Sequence, residues 1–249
     1  MIGKIEFPEG VTWSVRRPCG ADFLGEEFVA PSCTHFYHNA DNYVVDIKYD
    51  TSNVTNMEYM FASCPLVTIP QMDTSNVTNM EYMFFGCTSL TTIPQMDTSN
   101  VTNMGYMFKS CSNLTELPDF NCVKVQGFGT SSSSSWLYSC PIQKIGVVDC
   151  DSVTNISYFF GNSSRSSLTE FGGCRNLGKA SSVSYTNTNY FLNYAPNLTY
   201  ESVINVLNGL YDRASAGLSV LTLKLHANHL AMLSDDDIAI ATNKGWTIV

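Results

Sequence analysis

Residues 73–96 read DTSNVTNMEYMFFGCTSLTTIPQM, and the stretches on either side repeat that string almost letter for letter. The copy before it begins at Asp50 (DTSNVTNMEYMFASCPLVTIPQM) and the copy after it at Asp97 (DTSNVTNMGYMFKSCSNLTELPDF), so successive starts lie 23 and 24 residues apart. A period of this length constrains the fold more than any local propensity, because it means stacked supersecondary units. Within the unit the apolar positions are Val77, Met80, Met83 with Phe84, Cys87, Leu90 and Ile93. Their spacing of about three predicts one or two helical turns followed by a short extended run. One such unit cannot bury its apolar side alone, whereas stacked copies form a continuous core in which each coil touches only its neighbours. The expected fold is therefore an α/β solenoid of right-handed coils. The Asp-Thr-Ser-Asn run suits turns and helix starts, and the Pro after Ile93 ends regular pairing.

The pattern divides the chain into three. Residues 1–45 match the repeat poorly and read as an N-terminal cap or attachment segment. Residues 46–198 form the repeat array, entered by a half-buried strand in which Tyr43, Val45, Ile47 and Tyr49 alternate with polar neighbours. Three clear coils are followed by a fourth that aligns Trp136-Leu137-Tyr138-Ser139-Cys140 with Met60-Phe61-Ala62-Ser63-Cys64. A fifth starts at Asp149, and a weaker sixth runs from Thr186 through Leu198. Two polar insertions, 129–135 and 161–167, interrupt the later coils and are expected to be exposed. Residues 199–249 read as an α/β C-terminal cap. Thr199 caps a helix with Val203, Val206, Leu207 and Leu210 on one face. A strand then runs through Leu218, Val220, Leu221, Leu223 and Leu225. Ser234 with Asp237 makes a capping pair for a second helix, Gly245 stops it, and Trp246–Val249 adds a last strand.

Charge excludes two classes of partner. The net charge of −9 and the absence of any Lys or Arg cluster argue against nucleic acid and anionic lipid. No apolar run approaches the roughly 20 residues that span a bilayer. The N-terminus has no apolar h-region, so neither export by that route nor membrane insertion is expected. Nine cysteines is an odd count. Cys64, Cys87, Cys111 and Cys140 share one register, which favours a column of buried thiols over disulfides, and no CxxC pair points to zinc.

The DTSNVTNM, MF, Cys and Leu-x-x-Ile-Pro pattern of residues 73–94 resembles the BspA-like leucine-rich-repeat family of surface proteins, specifically over about 50–120 and more faintly to about 200. The closing segment from Asp237 to Trp246 looks like the tails that accompany such repeats in proteins of gut bacteria and their phages. The resemblance implies leucine-rich-repeat-like coils and a noncatalytic scaffold for adhesion or receptor binding. Its bacterial members normally carry an export signal, which is not expected here, whereas a virion protein needs none. The expectation is thus a phage virion appendage, a tail or head fibre or decoration, homo-oligomeric and joined to other virion proteins, that contacts a host cell-surface glycan or protein. The alternatives are a bacterial cell-surface adhesin and, from the enzyme class, a glycan hydrolase.

The candidate binding residues are Tyr59, Tyr82, Tyr106, Tyr158 and Tyr190, which fall in one register and would present a row of amphipathic rings. The competing reading is plain packing against neighbouring coils. Met72, Met96 and Phe120 form a second column, for which core filling is favoured. Residues beside the tyrosines differ between coils: Glu58, Glu81, Gly105 and Ser157, and again Ala62, Phe85, Lys109 and Gly161. His35 with His38 and His226 with His229 sit three apart, the spacing of a shared metal, although flanking carboxylates are few and no metal is expected. The sequons at Asn53, Asn76, Asn100, Asn113, Asn155 and Asn197 follow the repeat and are read as backbone-bonding side chains. No nucleophile elbow, phosphate loop or HExxH motif is present, and Asp50, Asp73, Asp97 and Asp149 are copies of one structural position. Neither catalytic residues nor a cofactor is expected.

Overall fold

The computed structural model describes residues 51–69, 71–128, 136–156, 159, 167–180 and 192–249, and the backbone of two further strands, β1 (Ser14–Val15) and β2 (Phe36–Tyr37), which pair antiparallel. The strand expected at 43–49 lies outside these residues.

The three near-identical copies stack in register, with bridges joining Asn56 to Asn79 and Asn79 to Asn103. The stretch from Met57 to Cys64 divides its amides by position. Met57, Tyr59, Phe61 and Ser63 donate to the carbonyls of Asn79, Glu81, Met83 and Phe85 in the next coil. Met60, Ala62 and Cys64 donate three residues back, to Met57, Tyr59 and Phe61. The second coil repeats both sets against the third.

This pattern corrects the expected helical turn. Among the described residues of the three near-identical copies no helix occurs, and each copy instead runs through consecutive tight turns. A helix needs unbroken right-handed backbone, yet Tyr59, Tyr82 and Tyr106 have φ of 56°, 56° and 58°, and Ser63, Gly86 and Ser110 are left-handed as well. The left-handed residues break the run of bonds within the coil, and alternate amides serve the neighbouring coil instead. Turns in tandem and helical turns both space apolar residues by about three, so periodicity did not separate them.

From the third coil onward the extended runs become strands. β3 (Glu116–Leu117), β5 (Lys144–Ile145) and β7 (Glu170–Phe171) form one parallel sheet, and β4 (Phe120–Asn121), β6 (Val148–Asp149) and β8 (Cys174–Arg175) form another. In the two coils after the third, the corner between the sheets is turned at a glycine with no room for a side chain. A Cβ on Gly146 would lie 2.2 Å from Asp119 Oδ1, and one on Gly172 2.7 Å from the Gly146 carbonyl carbon.

Inside the stack lie Val77, Met80, Met83, Phe84, Cys87, Leu90 and Ile93 with their counterparts, all buried except Val54 of the first coil, which is half-buried. Phe61, Phe84 and Phe108 stack at 5.3 and 5.5 Å. The polar letters of the motif are equally committed. Thr51, Thr74 and Thr98 are buried and donate to the carbonyls of Asp73, Asp97 and Asn121. Asn76 Nδ2 reaches Ser52 O and Asn100 Nδ2 reaches Ser75 O, both at 2.7 Å. Asp73 and Asp97 accept from the amides of Ser75 and Ser99 and hold turns. The Asp, Thr and Asn of the DTSN string each satisfy a backbone group between or within coils, and the Ser75 hydroxyl donates to Asp73.

The cap follows the expected order with one addition. α1 (Tyr200–Gly209) starts at Thr199, whose side chain accepts from the Ser202 amide, and it buries Val203, Val206 and Leu207. It packs on β7 and β8, where the Ser202 hydroxyl accepts from the Phe171 amide at 2.9 Å, a bond that a further coil would otherwise supply. β9 (Leu221–Leu223) is shorter than the predicted strand and pairs in parallel with β10 (Trp246–Ile248). Between them lie the unpredicted α2 (Ala227–Leu230) and then α3 (Asp235–Thr242), which carries the full Ser234 and Asp237 capping box. Arg213, 1% exposed, ties this end together through Gly178 O and Ser219 O. No helix of the described residues is long and apolar enough to cross a membrane.

Candidate binding face

Tyr59 and Tyr82 send their amides to the next coil, and Tyr59, Tyr82 and Tyr106 all sit on left-handed backbone, so their side chains leave the stack in parallel. The rings lie face to face, Tyr59 on Tyr82 at 4.5 Å with planes 5° apart and Tyr82 on Tyr106 at 4.4 Å with planes 10° apart. Tyr59 is 51% exposed, and Tyr82 and Tyr106 are half-buried. The column is therefore outward, but its ring faces are spent on one another rather than left free to stack on a ligand. What it offers is a row of ring edges and hydroxyls. Burial between its neighbours, with the adjoining Tyr106 hydroxyl second, pushes the Tyr82 phenol up to about 12, so that hydroxyl stays protonated at neutral pH. Tyr158 and Tyr190, expected to extend the column, lie outside the described residues, as do residues 129–135 and 161–166 of the two insertions.

A second column runs beside the first. Tyr82 meets Phe85 edge-on at 5.7 Å. Lys109 Nζ lies 5.3 Å from the Tyr106 ring centre, 5.3 Å from that of Tyr138 and 5.9 Å from that of Phe85. Phe85, Lys109 and Tyr138 occupy successive coils in the Ala62 register, as shown by the bonds Gly86 N to Lys109 O and Ser110 N to Tyr138 O. Sequence reading marked Phe85 and Lys109 as variable but left Tyr138 aside. The alignment of Trp136–Cys140 with Met60–Cys64 already placed it, and the missing signal was the neighbouring tyrosine register, which the fourth coil breaks with Ser135.

The carboxylates on this face are partly engaged. Asn79 Nδ2 donates to Glu58 Oε2 at 3.1 Å, and Asn103 Nδ2 to Glu81 Oε2 at 2.9 Å. Asn56, Asn79 and Asn103 use their Oδ1 atoms on the amides of Glu58, Glu81 and Gly105.

The remaining candidates sort differently. Met72, Met96 and Phe120 are buried core. Asp149 pairs with Arg175 at 2.9 Å. His226 caps α2, its Nδ1 accepting from the Asn228 amide at 3.1 Å, so that nitrogen is occupied. His229 is fully buried 5.9 Å from the His226 ring centre, and its own ring nitrogens have no hydrogen-bond partner. The His35 and His38 pair lies outside the described residues, and among the described residues no group of three or more metal-ligating side chains converges. A concavity of about 480 Å³ opens between the corner of the sheets and α1, bordered by Asp119, Lys144, Glu170, Glu201 and Asn205. Its Lys144 and Glu170 already pair with each other at 3.0 Å.

A model of the family described as "Mycoplasma protein of unknown function, DUF285" matches residues 31–136 and again 67–171. The two matches together run from 31 to 171, more than half of the chain. No curated protein and no solved structure matches it.

Proposed function

The chain belongs to the DUF285 family, and from that membership and the ring face we propose that it is a noncatalytic binding module displayed on a surface. The stacked coils are read as a right-handed solenoid of the BspA-like leucine-rich-repeat kind, with residues 46–198 as its array and the segments on either side as caps. Its partner is a cell-surface glycan or protein. The family description is of a bacterial protein, which supports display on a bacterial cell; a virion appendage contacting its host is the other setting for the same face.

One observation carries this reading. The polar letters of the repeat satisfy backbone groups in and between coils, and the apolar letters fill the core, but Tyr59, Tyr82 and Tyr106 with Phe85, Lys109 and Tyr138 gather on the outside. A double variant, Tyr82→Asn with Tyr106→Asn, tests it, because Asn tolerates left-handed backbone and removes the rings without forcing the turn. The labelled full-length variant should bind target cells at least several-fold more weakly than the parent while keeping a single cooperative thermal transition. Unchanged attachment by the folded variant would sink the reading. Mass spectrometry of purified virions and protease shaving of intact cells separate the two settings, and a glycan-release assay addresses the enzyme alternative.

A further inference from the structure

The second and third coils are near copies, and where they differ they differ mainly in charge. Between residues 73–87 and 97–111 three of fifteen positions change: Glu81 to Gly105, Phe85 to Lys109 and Gly86 to Ser110. The first change removes a negative charge and the second adds a positive one, so the same patch of surface goes from −1 to +1. Within residues 50–123, Lys109 is the one Lys or Arg, against seven acidic side chains.

Its surroundings are rings. Tyr106, Tyr138 and Phe85 approach the ammonium to 5.3, 5.3 and 5.9 Å, and among the described residues no carboxylate forms an ion pair with it. Ring quadrupoles hold a cation in place without neutralising it. Lys109 is only half-buried, so its charge is held in place and within reach of a ligand. The Glu that the first two coils carry is absent beside it, and the nearby Glu81 carboxylate is tied at Oε2 to Asn103. The result is a fixed cation on a chain of net charge −9.

We infer that Lys109, framed by Phe85, Tyr106 and Tyr138, is the anion-recognition point of the ring face, and that the partner is an acidic polysaccharide bearing carboxylate or sulfate groups on a hydroxyl-rich chain. The inference rests on the reading of this face as the binding surface and names the ligand class for it. A row of phenol hydroxyls suits a ligand rich in hydroxyls, each of which can donate and accept. The spacing disfavours an acidic peptide. Side chains on one side of an extended peptide recur at about 6.6 Å, twice the rise per residue, whereas the rings recur at 4.4 and 4.5 Å. Nor can the column's inner ring faces make a pocket for a peptide anchor, since each already covers its neighbour.

The test is calorimetry of the full chain with polygalacturonate and hyaluronan oligomers against uncharged cello-oligomers of matched length. Variants Lys109→Ala, which restores the residue of the first coil at Ala62, and Lys109→Arg complete the set. The parent should prefer the acidic oligomers roughly ten-fold or more, the scale of one charge-assisted contact, and added salt should erode the preference. Lys109→Ala should abolish it and Lys109→Arg retain most of it. Equal affinity for acidic and neutral oligomers, or undiminished preference in Lys109→Ala, would overturn the inference, as would Lys109-dependent binding of an acidic peptide alone. Should no oligomer bind while the tyrosine double variant still loses cell attachment, the ligand class is wrong and the binding face stands. If the double variant attaches normally as well, both fall.

Discussion

The Cys111 thiol donates to the Phe84 carbonyl of the preceding coil at 3.0 Å, and Cys87 repeats the bond to Phe61 at 2.9 Å. A buried sulfur thus serves a second lone pair of a carbonyl that also accepts from the cysteine amide of its own coil. None of the seven described cysteines is in a disulfide. Burial pushes the Cys87 thiol up to about 11, and the hydrogen-bonded Cys140 thiol together with burial pushes Cys111 higher still. Because the thiolate is the reactive form, Cys64, Cys87 and Cys111 should be labelled by a thiol reagent at neutral pH no faster than the protein unfolds. Peptide mapping after brief labelling checks this. Rapid modification of any of the three without denaturant would contradict it.

Phe84 is fully buried and sandwiched between Phe61 and Phe108. Truncation to Ala removes two ring contacts and leaves a cavity that the flanking coils, held in register by backbone bonds, cannot close. Phe84→Ala should cost about 3–5 kcal/mol in denaturant unfolding. A loss under about 1 kcal/mol would show that the stack tolerates a void there.

The left-handed tyrosines make a conformational prediction. A β-branched residue suffers most at positive φ, while Asn is among the residues that adopt it readily. Both Tyr82→Val and Tyr82→Asn lose the stacked ring, so their difference reads the backbone. Tyr82→Val should be less stable than Tyr82→Asn by about 1–2 kcal/mol. Equal stabilities would mean that the turn shifts to right-handed backbone when the ring is removed.

What the sequence made legible was the repeat and everything the repeat enforces. Val77, Phe84 and Cys87 could be placed inward because three copies agree on them, and the Thr199 and Ser234 caps announce themselves by local chemistry. The tandem turns escaped because their period equals that of a helix, and nothing in Tyr59 or Tyr82 as residue types signals positive φ. The outward position of Tyr59, Tyr82 and Tyr106 was an open alternative, decided by backbone geometry. The mutual stacking that occupies the ring faces follows from a coil spacing no alignment displays. Lys109 was visible as a difference between copies, but its three rings come from three coils and meet only in the stack. α2 was missed because four residues carry no periodicity, leaving His226 and His229 to look like a ligand pair.

His229 gives the pH prediction. Burial pulls its pKa below the ordinary value, with the neighbouring His226 acting in the same direction, and the Ala195 backbone offsets this only in part, since no hydrogen bond of ordinary geometry forms. The folded protein therefore holds a neutral ring, whereas the unfolded chain takes up a proton near pH ~6.5. Below that pH the unfolded state binds more protons, so the contribution is fully present above about 6.5 and is lost as pH falls toward the depressed folded value. Asp212 and Asp237 are shifted down, by hydrogen bonds from Ser215 and Ser234, and their stabilisation is lost only below the ordinary carboxylate range. The window from neutral pH to about 5 consequently isolates the histidine from them. Denaturant unfolding should show the parent losing stability across that window, and His229→Leu, which keeps an apolar side chain in the same place, should show a flatter profile. Identical slopes in the two proteins would mean that His229 takes up its proton as readily folded as unfolded.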